Sequence, residues 1–548
     1  PNPEAKGVGT NWIDTITRTA LYQNYDLSIS GASAKSSYYA SAGFNETQGI
    51  IDNSGLKRYS ARLKVDHEFA KWLKAGLNLS YTYRDQDENL ATIGGTNWWN
   101  AAVFLSPFLS PTSDMNDLWY SGQKFNNPRI MLDHCLKNAR RISLNNSAFV
   151  EVTPVKGLKL RSQFTYYSYQ RHGRYYEPGY LPAKKENEGG YAKRDEYDDT
   201  SFSSENTVYY ELRPKSGHNF DVLGGYTAQI KYDNNLSITG RGYTLDELTW
   251  NNMAAVPDKQ NTSISTNHTD WTKMSVFGRL NYNYKERYYV TFTARYDGAS
   301  NFAANKKWGF FPSASVAWRV SEEPWMKWSE EWLDNFKIRL SAGSMGNGNV
   351  DPYSYTSEMT VATASDIVLG GGLPSYTTVG STVPVSLTWE KSTTYDVGLD
   401  LDFFNNRLSV SGDYYRRYTT DMYTASVALP AVYGTGSPKG NNAEMKTDGW
   451  ELSLSWRDSF KLGGKPFDYS IKAMVWDSKS VITKYVNDTG SLGTVKGFIE
   501  NGGSPSSYYV GMTVGEIWGY TVAGLFRDQA DIDSSAIHDF VQASDKVT

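Results

Sequence analysis

Apolar and polar residues alternate with period two along much of this chain. In residues 398–417, Leu399, Leu401 and Phe403 alternate with Gly398, Asp400 and Asp402. After Asn405 and Asn406, Leu408, Val410, Gly412 and Tyr414 alternate with Ser409, Ser411 and Asp413. Successive side chains on a strand point to opposite faces, so the stretch predicts a hairpin with one apolar and one charged face. A soluble sheet hides the apolar face, whereas a membrane barrel turns it to lipid.

Extended along the chain, the same reading predicts about sixteen strands of roughly 9 to 15 residues, long enough to cross a bilayer at a tilt. Residues 74–84, 219–230, 273–284 and 288–297 are the clearest. In the last pair Met274, Val276, Leu280 and Tyr282 are answered by Val290, Phe292, Ala294 and Tyr296, with Arg279, Asn281, Asn283, Thr291, Thr293, Arg295 and Asp297 opposite. Short turns are expected near residues 31–35, 70–73, 154–157, 214–218, 285–287, 405–406 and 458–466, and mostly long segments between them, at 85–140, 172–199, 231–271, 345–389 and 419–446. Alternating short and long connections are what an outer-membrane barrel with short periplasmic turns and long outer loops produces. Aromatics gather at the short-turn ends: Phe69 and Trp72, Tyr284 and Tyr288, Phe403 and Phe404, and Phe467. Amphipathic rings suit a membrane–water boundary, so these predict a girdle. In residues 321–336, Trp325, Trp328 and Trp332 recur at helical spacing after Ser321, Glu322 and Glu323, predicting a brief amphipathic helix that lies along the membrane surface or packs beneath the wall.

Composition narrows the class. The chain has 548 residues, with Tyr 40, Trp 17, Phe 22 and Gly 47, yet a mean hydropathy of -0.54, a pairing that fits many strands joined by polar loops. Lys+Arg 55 against Asp+Glu 59 leaves a net charge of -4, so no basic field points to nucleic acid. The single cysteine, Cys135, excludes an internal disulfide framework and clustered cysteine ligation of zinc. No run approaches the roughly 18 apolar residues of a spanning helix, so a membrane crossing must be made by strands. The first short turn places residues 1–20 in an outer loop, which predicts a further strand before Pro1. The last strand, residues 465–477, is expected to climb into a polar segment, 478–548, that does not return, so an odd number of strands should follow it.

Enzymatic chemistry finds little support. No H-E-x-x-H, P-loop or G-x-S-x-G motif occurs, and the six histidines lack ligand spacing. The glycine-rich residues 434–440 read as a plain loop, and Asp528, Asp531 and Asp533 as a solvated acidic loop without the Gly and Glu of a calcium hand. No metal or cofactor is predicted. Ligand contact is expected from loop aromatics at residues 97–120, where Trp98, Trp99, Trp119 and Tyr120 stand among Asn and Asp. That mixture stacks on sugar rings or peptide side chains, and it equally builds a loop's own small core.

Several segments, residues 9–33, 49–66, 71–83, 277–302, 309–326, 387–415 and 514–532, resemble in order the SusC/RagA group of TonB-dependent outer-membrane transporters of Bacteroidetes. The resemblance covers nearly the whole chain and implies an all-β fold, a transmembrane antiparallel β-barrel of 22 strands with long extracellular loops. About sixteen strands lie in residues 1–548, without the plug, the TonB box or the closing strands. It further implies import of oligosaccharides, or of peptides, driven through TonB beneath a SusD-like surface lipoprotein, in contact with outer-membrane lipid and without enzymatic activity. The rival readings are a passive porin and a soluble secreted carbohydrate-binding protein or glycosidase. The expected inside-out arrangement puts Leu401 and Val410 against acyl chains. It puts Ser411 in an aqueous passage where a charged replacement is tolerated.

Overall fold

The computed structural model describes residues 9–88, 98–112, 118–120, 123–125, 127–179, 190–243, 249–256, 262–356, 359–363, 374–379, 387–425, 432, 439–485, 510–517 and 527–534. Sixteen strands form one antiparallel sheet in which every strand pairs with its sequence neighbour. In chain order they are β1 (Tyr22–Ala32), β2 (Ser36–Gln48), β3 (Gly55–Ala70), β4 (Leu73–Asp87), β5 (Leu136–Val152), β6 (Leu158–Glu177), β7 (Gly190–Leu212) and β8 (His218–Tyr243). Then follow β9 (Thr262–Tyr284), β10 (Tyr288–Ala299), β11 (Trp308–Arg319), β12 (Leu333–Asn347), β13 (Glu390–Phe403), β14 (Leu408–Ala425), β15 (Lys439–Leu462) and β16 (Lys465–Tyr485). Among the described residues no helix is long and apolar enough to cross a membrane.

Register explains why alternation in single strands becomes a property of the whole wall. Leu212, Phe220, Tyr282, Val290, Val316, Leu340, Val397, Tyr414 and Trp450 are successive cross-strand partners from β7 to β15. The row on the opposite face runs Asp221, Asn281, Thr291, Ser315, Ser341 and Asp396. The apolar face meets no other part of the protein over most of its area: Phe292 is 48% exposed and Val276 53%. A sheet with this much uncovered apolar surface needs an apolar solvent. Leu401 and Val410 face each other across β13 and β14 on that side, outside any dry protein centre. Leu401 also touches a small cluster at the turn end made by Val320, Met326 and Leu333.

The polar face binds itself together. The Arg339 guanidinium holds Asp400 with two bonds, at 2.8 and 3.0 Å, and reaches Asp413 at 2.9 Å. Ser411 donates to Asp400 at 2.8 Å, which places it on the polar face as expected and makes it a member of this ionic cluster. Arg295 pairs with Asp297 at 2.7 Å and donates to Ser275 at 2.7 Å, and Arg279 donates to Thr293.

Three expectations change. The strands run past their predicted ends: β8 has 26 residues and β7 and β9 have 23 each, against the roughly 9 to 11 that cross a bilayer. Their outer halves are rich in charged and amide side chains, with only Leu236, Ile238 and Ile264 continuing the apolar face, and they are held by cross-strand pairs such as Lys231 with Asp199 at 3.0 Å and Tyr197 with Asp233 at 2.9 Å. The turn expected at 458–466 shrinks to Gly463 and Gly464, both at positive φ (58° and 82°), which glycine adopts freely. Residues 49–54 and 300–307 are brief connections at the outer end, so parity of loop length is a tendency there, not a rule. Finally, a short stretch of the polar segment after β16 folds back against the outer end of that strand. Ile482 donates to Met512 O at 3.0 Å, Gly511 to Ile482 O at 2.8 Å and Val514 to Ser480 O at 2.9 Å, pairing residues 511–514 with the outer end of the last strand.

The tryptophan-rich turn is helical but tighter than predicted. It forms 3-10 turns at Val320–Glu322 and Pro324–Ser329, and β12 begins at Leu333. Met326 is buried against the apolar face at the turn end, in a cluster packed by Phe336, Ile338, Leu401 and Phe403, while Trp325 (58% exposed) and Trp328 (69%) stand outward. Trp332 stacks on Phe403, and Trp325 packs edge-on against Trp318, both anchors lying on the apolar face. Phe69, Trp72, Phe404 and Phe467 are likewise exposed at this end, consistent with a girdle.

Candidate functional site at the outer mouth

Buried clusters lie at the ends of the wall, and three of the four sit at the outer end. The largest is a cap of three short helices, α1 (Trp12–Ile16), α2 (Trp98–Phe104) and α3 (Pro128–His134). Trp12, Ile16, Ile51, Ala101, Leu105, Met131 and Cys135 close its core. Asn127 accepts from Arg129 N at 3.0 Å to start α3, with Pro128 at its first position. Arg129 then ties α3 to α1 through Thr15 O at 2.9 Å and to the β2–β3 connection through Asp52 at 2.6 Å. The expected placement of the first residues in an outer loop agrees with the position of α1.

Beneath the cap, Glu88 follows β4 and is gripped by Arg141, by Lys137 at 3.4 Å and by Arg171 at 3.8 Å. Burial alone would raise its carboxyl pKa, but the Arg141 bond and the neighbouring cations outweigh burial and hold it below the usual carboxylate range. A recess of about 250 Å³ opens beside it, lined by Asn53, Asp87, Glu88, Lys137, Asn138 and Trp250. Along the inner face of β6 to β9 the mouth carries Tyr167, Tyr169, Tyr197, Asp199, Lys231, Asp233, Trp271 and Lys273, placed on one side by register. Tyr169 and Tyr197 meet edge to face at 6.1 Å, and Lys231 and Lys273 approach the Trp271 ring at 6.0 and 4.6 Å. Aromatic faces interleaved with fixed hydrogen-bonding groups can hold a polar ligand that also has apolar surface. No group of metal-ligating side chains occurs among the described residues.

Of the predicted ligand-contact residues, Trp98 and Trp99 begin α2, and Trp119 and Tyr120 lie in a small strand, Leu118–Tyr120. The first two therefore belong to the cap through α2, and the side chains of all four lie outside the described residues. The described part of the loop contributes Ala101, Ala102 and Leu105 to the cap core shared with α1, α3 and Ile51. The inner-face residues Tyr197, Asp199, Lys231, Asp233 and Trp271 were missed because they fall within residues 172–199 and 231–271, expected as long connections, whereas Lys273 opens an expected strand. The available clue was the density of Tyr, Trp, Lys and Asp between residues 165 and 273. Residues 434–438 of the glycine-rich loop lie outside the described residues. Asp528 accepts from Asp531 N at 2.8 Å at the start of the short helix Gln529–Ser534, so these acids serve a turn.

Comparison with known proteins fits this geometry. TonB-dependent receptor P26 of Formosa agariphila is 27% identical over 98% of this chain and 53% of its own length. TonB-dependent receptor SusC of Bacteroides thetaiotaomicron is 26% identical over 91% of this chain and 49% of its own. The chain thus spans about half the length of the curated relatives it matches. Among solved structures, the RagAB peptide transporter superposes with a TM-score of 0.76 at 23% identity, over 87% of this chain and 53% of that one, which establishes likeness of fold. A profile described as TonB dependent receptor-like, beta-barrel matches residues 5–539. With its apolar face outward, its polar face inward and that match over nearly its whole length, the chain belongs to the TonB-dependent receptor-like β-barrel family and is an outer-membrane barrel wall.

Proposed function

We propose that this wall and its cap belong to a TonB-dependent importer of oligosaccharides, with peptides as the second substrate class. Cargo is captured at the mouth beneath a SusD-like lipoprotein lid and admitted by a TonB-driven rearrangement of a plug, with no bond broken. The observation that carries the reading is the inverted sheet, whose polar inner face ends at a mouth of aromatic rings set among fixed carboxylates and cations. The likeness to the TonB-dependent receptor SusC over 91% of the chain supports a TonB-dependent role, and the solved neighbour that transports peptides keeps the second class in view.

The test is deletion of the gene in its host, followed by growth on defined oligosaccharide pools and on peptide pools. The proposal expects loss of growth on one or more oligosaccharides, restored by complementation and abolished by a protonophore. Loss on peptides alone would move the cargo to the second class. Uptake indifferent to the protonophore would make the protein a passive porin, and purification without detergent would remove the membrane reading.

A further inference from the structure

At the mouth, two inward lysines share one tryptophan. Lys231 approaches the Trp271 ring at 6.0 Å and is neutralised by Asp199 at 3.0 Å and Asp233 at 3.1 Å. Lys273 lies closer to the same ring, at 4.6 Å, and is half-buried. Its cross-strand partners are Gln229 and Ala299, neither of them acidic. The nearby carboxylate on β10, Asp297, is taken by Arg295 at 2.7 Å. Among the described residues, then, Lys273 has no carboxylate within ion-pair distance.

Its position matters as much as its charge. Lys273 faces the inner side, because its neighbours Met274 and Val276 are on the exposed apolar face. It stands eleven residues above the turn-end residue Tyr284. At about 3.4 Å per residue and a tilt near 40°, that is roughly 28 Å, just past the ~25 Å apolar band. A half-buried ammonium held against a ring and lacking a counter-charge attracts an anion more strongly than a solvated surface lysine does.

We infer that Trp271 and Lys273 form a mouth subsite for an anionic group of the cargo, a carboxylate carried on a ring or chain that packs against the exposed part of the indole. The inference rests on the import reading but is tested apart from it. Two sources share this chemistry, a uronic acid in an oligosaccharide and an acidic residue in a peptide.

The experiment is calorimetric titration of the full-length detergent-purified transporter with four probes: trigalacturonate, neutral galactotriose, triglutamate and triglutamine. The expected result is at least ~10-fold tighter binding of trigalacturonate than of galactotriose, weakening with salt, as one charge-assisted contact supplies. Lys273→Gln should bring the two saccharides to within about threefold of each other, while Lys273→Arg keeps the preference. Heat-modifiable gel migration verifies that each variant is a folded barrel. A preference for triglutamate over triglutamine that Lys273→Gln abolishes upholds the anion subsite and assigns it to peptides. Equal binding of charged and neutral probes, binding of none, or a preference that survives Lys273→Gln overturns the subsite. These readings stand whatever the growth phenotype, so failure of the subsite and failure of the import proposal are distinguishable.

Discussion

Phe292 and Ser315 sit on neighbouring strands and face opposite solvents. Phe292 lies between Leu280 and Ala314 on the apolar side, whereas Ser315 lines an inner-face recess of about 220 Å³ with Thr291, Ser313 and Ser341. Phe292→Arg is expected to cost about 2 to 4 kcal/mol in a refolding titration into bilayers, and Ser315→Arg less than about 1 kcal/mol. Equal costs would contradict the assignment of faces. The polarity of such positions was legible in the sequence, since Asp400 and Leu399 declare their faces by alternation. Partnership was not: Arg339 and Asp400 are 61 residues apart, and only the register of β12 against β13 brings them together.

Glu88 sets a pH expectation of definite sign. A carboxyl whose folded pKa is depressed contributes stability above its unfolded value, near 4.5, and loses it as pH falls through the lower folded value. Hydrogen exchange in residues 85–88 and 136–141 should be flat from about pH 8 to pH 5 after correction for intrinsic rates. It should rise only in stronger acid. Glu88→Gln should raise exchange there at neutral pH, and an unchanged profile would dissolve the ionic knot.

At the level of elements, the outer extensions of β7 to β9 and the tryptophan turn show where pattern reading fails. An alternation rule detects a strand only where its two faces meet different solvents. Beyond the bilayer both faces of β8 are wet, so its outer half reads as loop although it keeps its register with β9 as far as Gly240 and Thr262. The spacing of Trp325, Trp328 and Trp332 correctly signals a helical turn. The buried Met326 and the acceptor Glu323 convert that turn into a short 3-10 plug at the wall's foot. Glu323 accepts from Tyr288 at 2.5 Å, Trp318 at 3.0 Å and Arg287 at 3.2 Å. Met326→Ala, which empties a buried site, should destabilise by about 2 to 4 kcal/mol. Trp328→Ala should leave detergent stability nearly unchanged yet reduce quenching of tryptophan fluorescence by brominated lipid. A large detergent-state loss from Trp328→Ala would mean that this ring belongs to a core.

For the molecule as a whole, the consequence of register is that sixteen modest alternations sum to one continuous apolar surface. Strand number, antiparallel order and facing were all readable from the chain because each repeats many times. The cap and the mouth were not, because each arises once, from residues scattered over the first half of the sequence. Import, lid and cargo all presuppose that the apolar surface meets lipid. The direct measurement is a nitroxide scan of positions 394–403 in the full-length protein reconstituted in bilayers, reading oxygen against water-soluble nickel chelate. Leu399 and Leu401, with Val397 above them, should favour oxygen. Asp396, Gly398, Asp400 and Asp402 should not, and should favour the chelate wherever the inner face is wet. A scan in which Val397, Leu399 and Leu401 exclude both reagents, or prefer the chelate, would contradict the outward assignment of the apolar face.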